Sequence, residues 1–137
     1  MRIILDLQGA QTNANRHRGI GRYSLSLAFA MAKNARDHEL WLALNGAFTE
    51  SILNIRCSFE GIIPQERIRI FNVPPSVSEF NSENAWRIRA SEKIREHFIE
   101  SLQPDVVVVT SLFEGYFEDA VTSIGSFASG AKTAAIL

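Results

Sequence analysis

Short apolar runs alternate with stretches of helical spacing along the whole chain. Arg2–Leu7 is an apolar run broken only by Asp6, the signature of a buried parallel strand. Gly21–Ala35 is rich in Ala and Leu and predicts a helix. Ile20, Ser24, Leu27, Ala28, Met31 and Ala35 fall on one face, with Leu25 and Phe29 on another, so this helix calls for cover on two sides. Glu39–Leu44 reads as a second strand, closed by Asn45–Gly46. Thr49–Phe59 is a short helix with a start signal at Thr49 and a stop at Gly61. Pro64–Gln65–Glu66 is a turn. In Arg67–Asn72, arginines alternate with isoleucines, as in a strand near a sheet edge. Val73–Ser82, with Pro74–Pro75, is a loop. Asn84–Leu102 is the longest helix, with Trp86, Ala90, Ile94, Phe98 and Leu102 at four-residue steps and charge on its other faces at Glu92, Lys93, Arg95 and Glu96. It ends at Gln103–Pro104, because the residue before proline avoids the helical region. Asp105–Thr110 is a buried strand of four valines, Ser111–Glu118 a loop, Asp119–Phe127 a weak helical pattern and Lys132–Leu137 a fifth strand.

This alternation predicts an α/β fold: a Rossmann-like three-layer αβα sandwich with a mostly parallel sheet, right-handed crossovers and strand order 3-2-1-4-5. The chain has 137 residues, enough for one domain. With 46% hydrophobic residues it supports a core without disulfides or metal. Fourteen basic residues against fifteen acidic ones give a net charge of −1, which argues against nucleic acid as the main partner. The single cysteine, Cys57, cannot form an internal disulfide. Met1–Leu7 lacks the apolar core of a signal peptide, and no uncharged stretch reaches membrane-spanning length. A cytoplasmic domain is the expectation, with peripheral contact at the inner face of the membrane left open.

In an open parallel sheet, ligands bind beyond the carboxyl ends of the strands where the strand order reverses. Here those are the loops Gln8–Gly21 and Ser111–Glu118. The first is about twice the usual ~2–6 residues. Gly19 and Gly21 permit close backbone approach, and the helix that follows offers free N–H groups. Arg16, Arg18 and Arg22 add positive charge. The combination suits a phosphate or diphosphate; the alternative is a tight turn into a closely packed helix with solvated arginines. In the second loop, Thr110, Ser111 and Glu114 stand where a sugar or other hydroxylated ligand would rest, beside Gly115. A polar loop that caps the next helix explains them equally well. His17 lies in the first loop, within reach of a ligand there.

Other chemistries fit less well. The string Gly19–Ser24 has two of the three glycine positions of the dinucleotide fingerprint, stands too far from the first strand, and lacks an acid after the second. That argues against a nicotinamide cofactor. A receiver domain would need an aspartate where the third strand ends in Asn72. His17, His38 and His97 show no metal spacing with Cys57, and Ser24 has no histidine–acid set to activate it.

MRIILDLQGAQ, RGIGRYSLSLAFAMAKN, HELWLALNG and PDVVVVTSLFEG together resemble the N-terminal domain of GT-B glycosyltransferases of the family 4 (group 1) type, along nearly the whole chain. Arg18–Ser24, entering an Ala-rich helix, is the most specific part. The resemblance implies retaining transfer of a sugar from a nucleotide-sugar to a glycan or lipid-linked acceptor, often in surface polysaccharide or lipopolysaccharide assembly, with no cofactor and no metal. It implies two Rossmann-like domains facing a cleft, the N-terminal one holding the acceptor while its glycine loop approaches the donor diphosphate. Gly19 and Gly21 match that loop. A common version has adjacent glycines; here Arg18 precedes Gly19, so an arginine supplies charge where backbone access is narrower.

The donor-side residues are therefore expected to be Gly19, Gly21, Arg18 and Arg22, and the acceptor-side residues Ser111, Glu114 and His17; the catalytic residues are not identified. Residues 1–137 read as a single acceptor-side domain, with the donor-binding C-terminal domain its expected partner beyond residue 137. By itself such a domain is expected to be inactive. The competing reading is a non-enzymatic Rossmann-like module that binds a ligand or partner.

Overall fold

The computed structural model describes residues 1–125 and 127–136. Five parallel strands form one sheet: β1 (Arg2–Asp6), β2 (Glu39–Asn45), β3 (Ile68–Phe71), β4 (Val106–Val109) and β5 (Lys132–Ala135). Their order is β3-β2-β1-β4-β5, as the alternation of elements predicts. β1 is central, with Ile3 opposite Leu40 on one side and Val106 on the other. The arginine-bearing β3 stands at one edge.

Side chains alternate across the sheet and build two cores. Leu5, Leu42 and Leu44 face the helices α2 (Gly19–Lys33) and α3 (Thr49–Ser58), meeting Ala28, Ile55 and Phe59. Leu25 and Phe29 pack into this same core, with Phe29 stacked on Phe59 at 4.2 Å, which accounts for the second apolar face of α2. On the other side Ile4, Ala43 and Val107 meet Ile99 and Leu102 of α4 (Ala85–Ser101) and the loop that follows it.

Three local expectations are corrected. The long first loop contains a one-turn helix, α1 (Gln8–Gln11), and α2 begins at Gly19, which leaves seven residues, 12–18, irregular. The described part of Asp119–Phe127 is not helical, because Val121 exchanges backbone hydrogen bonds with the Gln8 side chain and Gly125 has φ +67°. Ser126 of that segment and Leu137 of the expected fifth strand lie outside the described residues.

The third correction concerns α4. Trp86 and Ile94 of the four-residue series are exposed, whereas Ser91, Arg95 and Ile99 are buried. Steps of four residues gain about 40° each on a 3.6-residue turn, so a series of four steps winds nearly halfway round the helix. The face that meets the sheet therefore carries Arg95, which the pattern assigns to the charged surface. Its side chain is fully buried and paired with Asp6 at the end of β1: Nε and Nη2 each lie 2.6 Å from Oδ2.

The loop before β5 is tied to α4 by Glu100, whose carboxylate accepts from the backbone N–H groups of Ser129 at 2.6 Å and Ala128 at 3.1 Å. The Ser129 amide, the largest influence, holds the Glu100 carboxyl below its ordinary pKa; desolvation opposes it, and the Ala128 amide adds a smaller lowering. A depressed carboxyl stabilises the fold above its unfolded pKa, and that contribution is lost as pH falls through the folded value. We expect the Ser129 amide resonance to titrate with a midpoint below that of a free glutamate; a midpoint at or above it would show the contact is not made in solution. We also expect Arg95→Met to cost about 3–5 kcal/mol by urea unfolding, because Asp6 is left as a buried unpaired charge, and Asp6→Leu added to it to recover part of the loss.

Candidate functional site

The carboxyl edge of the sheet is built from side chains that follow β1, β2 and β4. Asp6 ends β1 and accepts from the Gln8 backbone N–H at 3.0 Å and from Gln8 Nε2 as well as from Arg95. Gln8 Oε1 in turn accepts from Asn45 Nδ2 at the end of β2. Gln11, one turn later, donates to the Asn45 carbonyl and to Ser51 Oγ, while its own Oε1 accepts from the Asn45 N–H at 2.8 Å. All five of these polar side chains, Asp6, Gln8, Gln11, Asn45 and Ser51, are buried, and each is satisfied by another. Gln8 and Gln11 were not singled out from the sequence. Two glutamines three residues apart, following a central strand with only Gly9 and Ala10 between them, are the signal that marks them.

After β4 the chain closes over α1. Ser111 Oγ and Thr12 Oγ1 each donate to Glu114 at 2.8 Å, and Asn15 Nδ2 donates to both carboxylate oxygens at 3.0 Å. Both Ser111 and Glu114 are buried. Glu118 accepts from the backbone N–H groups of Asn13 and Ala14 at 2.9 and 2.7 Å. The two loops are thereby clamped, and an internal carboxylate already occupies the amides of residues 13 and 14.

The N–H groups at the start of α2 are differently placed. Arg18 occupies the N-cap position without a side-chain cap, and no acidic residue lies in the first turn. The positive end of the helix dipole is left uncompensated, with Arg18 and Arg22 exposed beside it. Gly19 is exposed, and a Cβ there would meet nothing within 4 Å. Gly21 is buried, and its Cβ would overlap the Asn15 carbonyl and come within 2.7 Å of the Arg16 Cα. The two glycines thus serve different ends: Gly21 lets loop 12–18 lie against α2, whereas Gly19 leaves the helix end open.

His17 is separated from Ser111 and Glu114. With Arg16 it lines a cleft of about 400 Å³ against α3, whose walls include Leu25, Asn54, Ile55 and Ser58. A smaller hollow of about 150 Å³, lined by Gln11, Arg16 and Thr49 among others, adjoins it. A third, of about 90 Å³, lies between residues 12–15 and the loop 113–118. Beside this last one, Phe80, Tyr116 and Phe117 form an exposed aromatic cluster, with Tyr116 edge-on to Phe117 at 4.6 Å. Among the described residues no group of three or more His, Cys, Asp or Glu side chains is placed to hold a metal ion. None of the described helices is long and apolar enough to cross a membrane.

Fold and site define a Rossmann-like α/β domain with an open helix N-terminus and polar clefts at the carboxyl edge of its sheet. The chain is homologous to part of a glycosyltransferase: it is 30% identical over 125 residues to the serotype-specific mannosyltransferase WbdA of Escherichia coli, a match covering 90% of this chain and 15% of that protein. Two further Escherichia coli sequences of the same name are 28% and 27% identical over 96 residues, 69% of this chain and 12% of theirs. The chain thus spans well under a fifth of the length of these relatives. No protein-family model matches it, and no solved structure does.

The two glycines are separable by experiment. Gly21→Ala is expected to lower the melting temperature by several degrees, because backbone rather than a flexible side chain must give way. Gly19→Ala is expected to leave stability unchanged or slightly raised, since alanine is the better helix former. Equal destabilisation by both would show that loop 12–18 is not packed on α2 as described.

Proposed function

We propose that this chain is the N-terminal, acceptor-side domain of a retaining glycosyltransferase that moves a sugar from a nucleotide-sugar to a glycan or lipid-linked acceptor in surface polysaccharide or lipopolysaccharide synthesis. The observation that carries the proposal is homology along 90% of the chain to a mannosyltransferase many times longer. On this reading residues 1–137 work with a donor-binding second domain, and the isolated chain is inactive. The relative's name makes an activated mannose the first donor to try.

The donor diphosphate is received at the start of α2. The free N–H groups beginning at Gly19 and the dipole of a 15-residue helix favour an anion there, and Arg18 and Arg22 supply two full charges. These meet the diphosphate charge without a metal. Gly21 contributes by bringing loop 12–18 against the helix. On the acceptor side His17 is the exposed contact. Ser111 and Glu114 act from beneath, holding Thr12 and Asn15 and so the shape of the loop that carries His17. A lipid-linked acceptor would place the enzyme at the cytoplasmic face of the membrane.

The test is transfer by the full-length protein against a panel of nucleotide-sugars, with residues 1–137 assayed in parallel. Turnover by the full-length protein alone is expected. Arg18→Ala and Arg22→Ala, both exposed, are each expected to raise the donor KM about 10-fold or more, the worth of one hydrogen bond to a charged group, with melting unchanged. Turnover by the short chain, or silence from both with the fold intact, would overturn the proposal, the latter in favour of a non-enzymatic module.

A further inference from the structure

The cleft between loop 12–18 and α3 has a composition of its own. Arg16 lines both the 400 Å³ cleft and the adjoining hollow. Its Nη1 reaches Glu50 at 3.5 Å, a long contact to a carboxylate that is itself 80% exposed, and this is its one side-chain hydrogen bond among the described residues. A guanidinium held by one long bond has Nη donors to spare for ligand oxygens.

The remaining walls are of two kinds. Leu25 and Ile55 offer an apolar side, while Asn54 and Ser58 stand on the same cleft from α3. Among the described residues the Asn54 side chain is held only by a 3.5 Å bond from its Nδ2 to the Glu50 carbonyl. Donors on Arg16, acceptors on Glu50 and groups of both kinds on Asn54 and Ser58 make a mixed set. Arg16 and Glu50 also cancel in charge, so the cleft does not select an anion. A ligand that matches must be neutral, carry several hydroxyls that both donate and accept, and show an apolar face to Leu25 and Ile55. The volume falls within the ~300–1,000 Å³ of small-molecule sites.

From this geometry we infer that the cleft is a subsite for a neutral hexopyranose ring, gripped at its hydroxyls by Arg16, Glu50 and Asn54 with its C–H face on Leu25 and Ile55. Its role as the seat of an acceptor sugar rests on the transfer reading; the binding itself does not. Sugar affinity in the absence of transfer would leave the subsite standing while that reading fell, and transfer without sugar affinity here would do the reverse.

The experiment is an amide NMR titration of the 137-residue chain with methyl hexopyranosides of the manno, gluco and galacto series, and separately with inorganic phosphate. Saturable shifts at Arg16, His17 and residues 51–55 are expected with at least one glycoside, with a Kd in about the millimolar range, and phosphate is not expected to reproduce them. Arg16→Met should weaken binding about tenfold or more. Asn54→Leu, an exposed change on α3 that fills the cleft without disturbing the core, should do the same and decides the matter if Arg16→Met unfolds. No saturable shift with any glycoside, shifts confined to Phe113–Phe117, phosphate acting alone, or binding indifferent to a folded variant would each overturn the inference.

Discussion

The buried pair between Asp6 and Arg95 is the constraint around which the carboxyl edge is organised. A carboxylate and a guanidinium that leave water together lose several kcal/mol of solvation each, and recover it only where every remaining lone pair and N–H finds a partner. Asp6 meets that condition by accepting from both the backbone and side chain of Gln8; Arg95 meets it at Nη1, which donates to the Ser123 carbonyl and hydroxyl, whereas Nη2 has only the charge of Asp6 beside it. Gln8 then has to satisfy its own amide oxygen, which brings in Asn45 and Val121. One ion pair thus locks the end of the central strand to α4, to the end of β2 and to the segment following β4. It defines a rigid floor more than it adds stability.

What stands on that floor divides into groups already engaged and groups left open. Glu114 and Glu118 bind the first loop from within, so the amides of Asn13 and Ala14 and the side chains of Thr12 and Asn15 have no capacity for a ligand anion. The α2 N-terminus and the arginines beside it are not compensated in this way, and Arg16 is met by Glu50 only through a long contact. The contrast separates two regions a few residues apart in sequence: a helix end suited to negative charge, and a cleft whose cation and anion cancel.

Much of the architecture was legible in the chain. Four consecutive valines after Pro104, and the apolar run ending in Asp6, have few fates other than strands covered on both faces. The resemblance carried by Arg18–Ser24 pointed to a glycosyltransferase, as the homology does. The course of α4 was less legible, because Trp86, Ile94 and Phe98 offer an apolar series as plausible as the true one. Only the arrival of Asp6 beneath Arg95 makes burying the charged face favourable. Likewise Gly19 and Gly21 look alike in the sequence, and differ because the backbone of Asn15 folds back onto one of them.

Local pattern, then, determined what each segment becomes and the order in which segments pair, since strand and helix periodicities are properties of neighbours within a few residues. Tertiary structure alone decided which polar residues became scaffold and which remained available. Ser111, Glu114 and His17 are all polar residues in loops at one sheet edge, yet two are buried against each other and one lines an open cleft. The physical reason is that availability depends on partners about a hundred residues away, as Thr12 and Asn15 are from Glu114, and no spacing along the chain encodes which distant donor a carboxylate will meet.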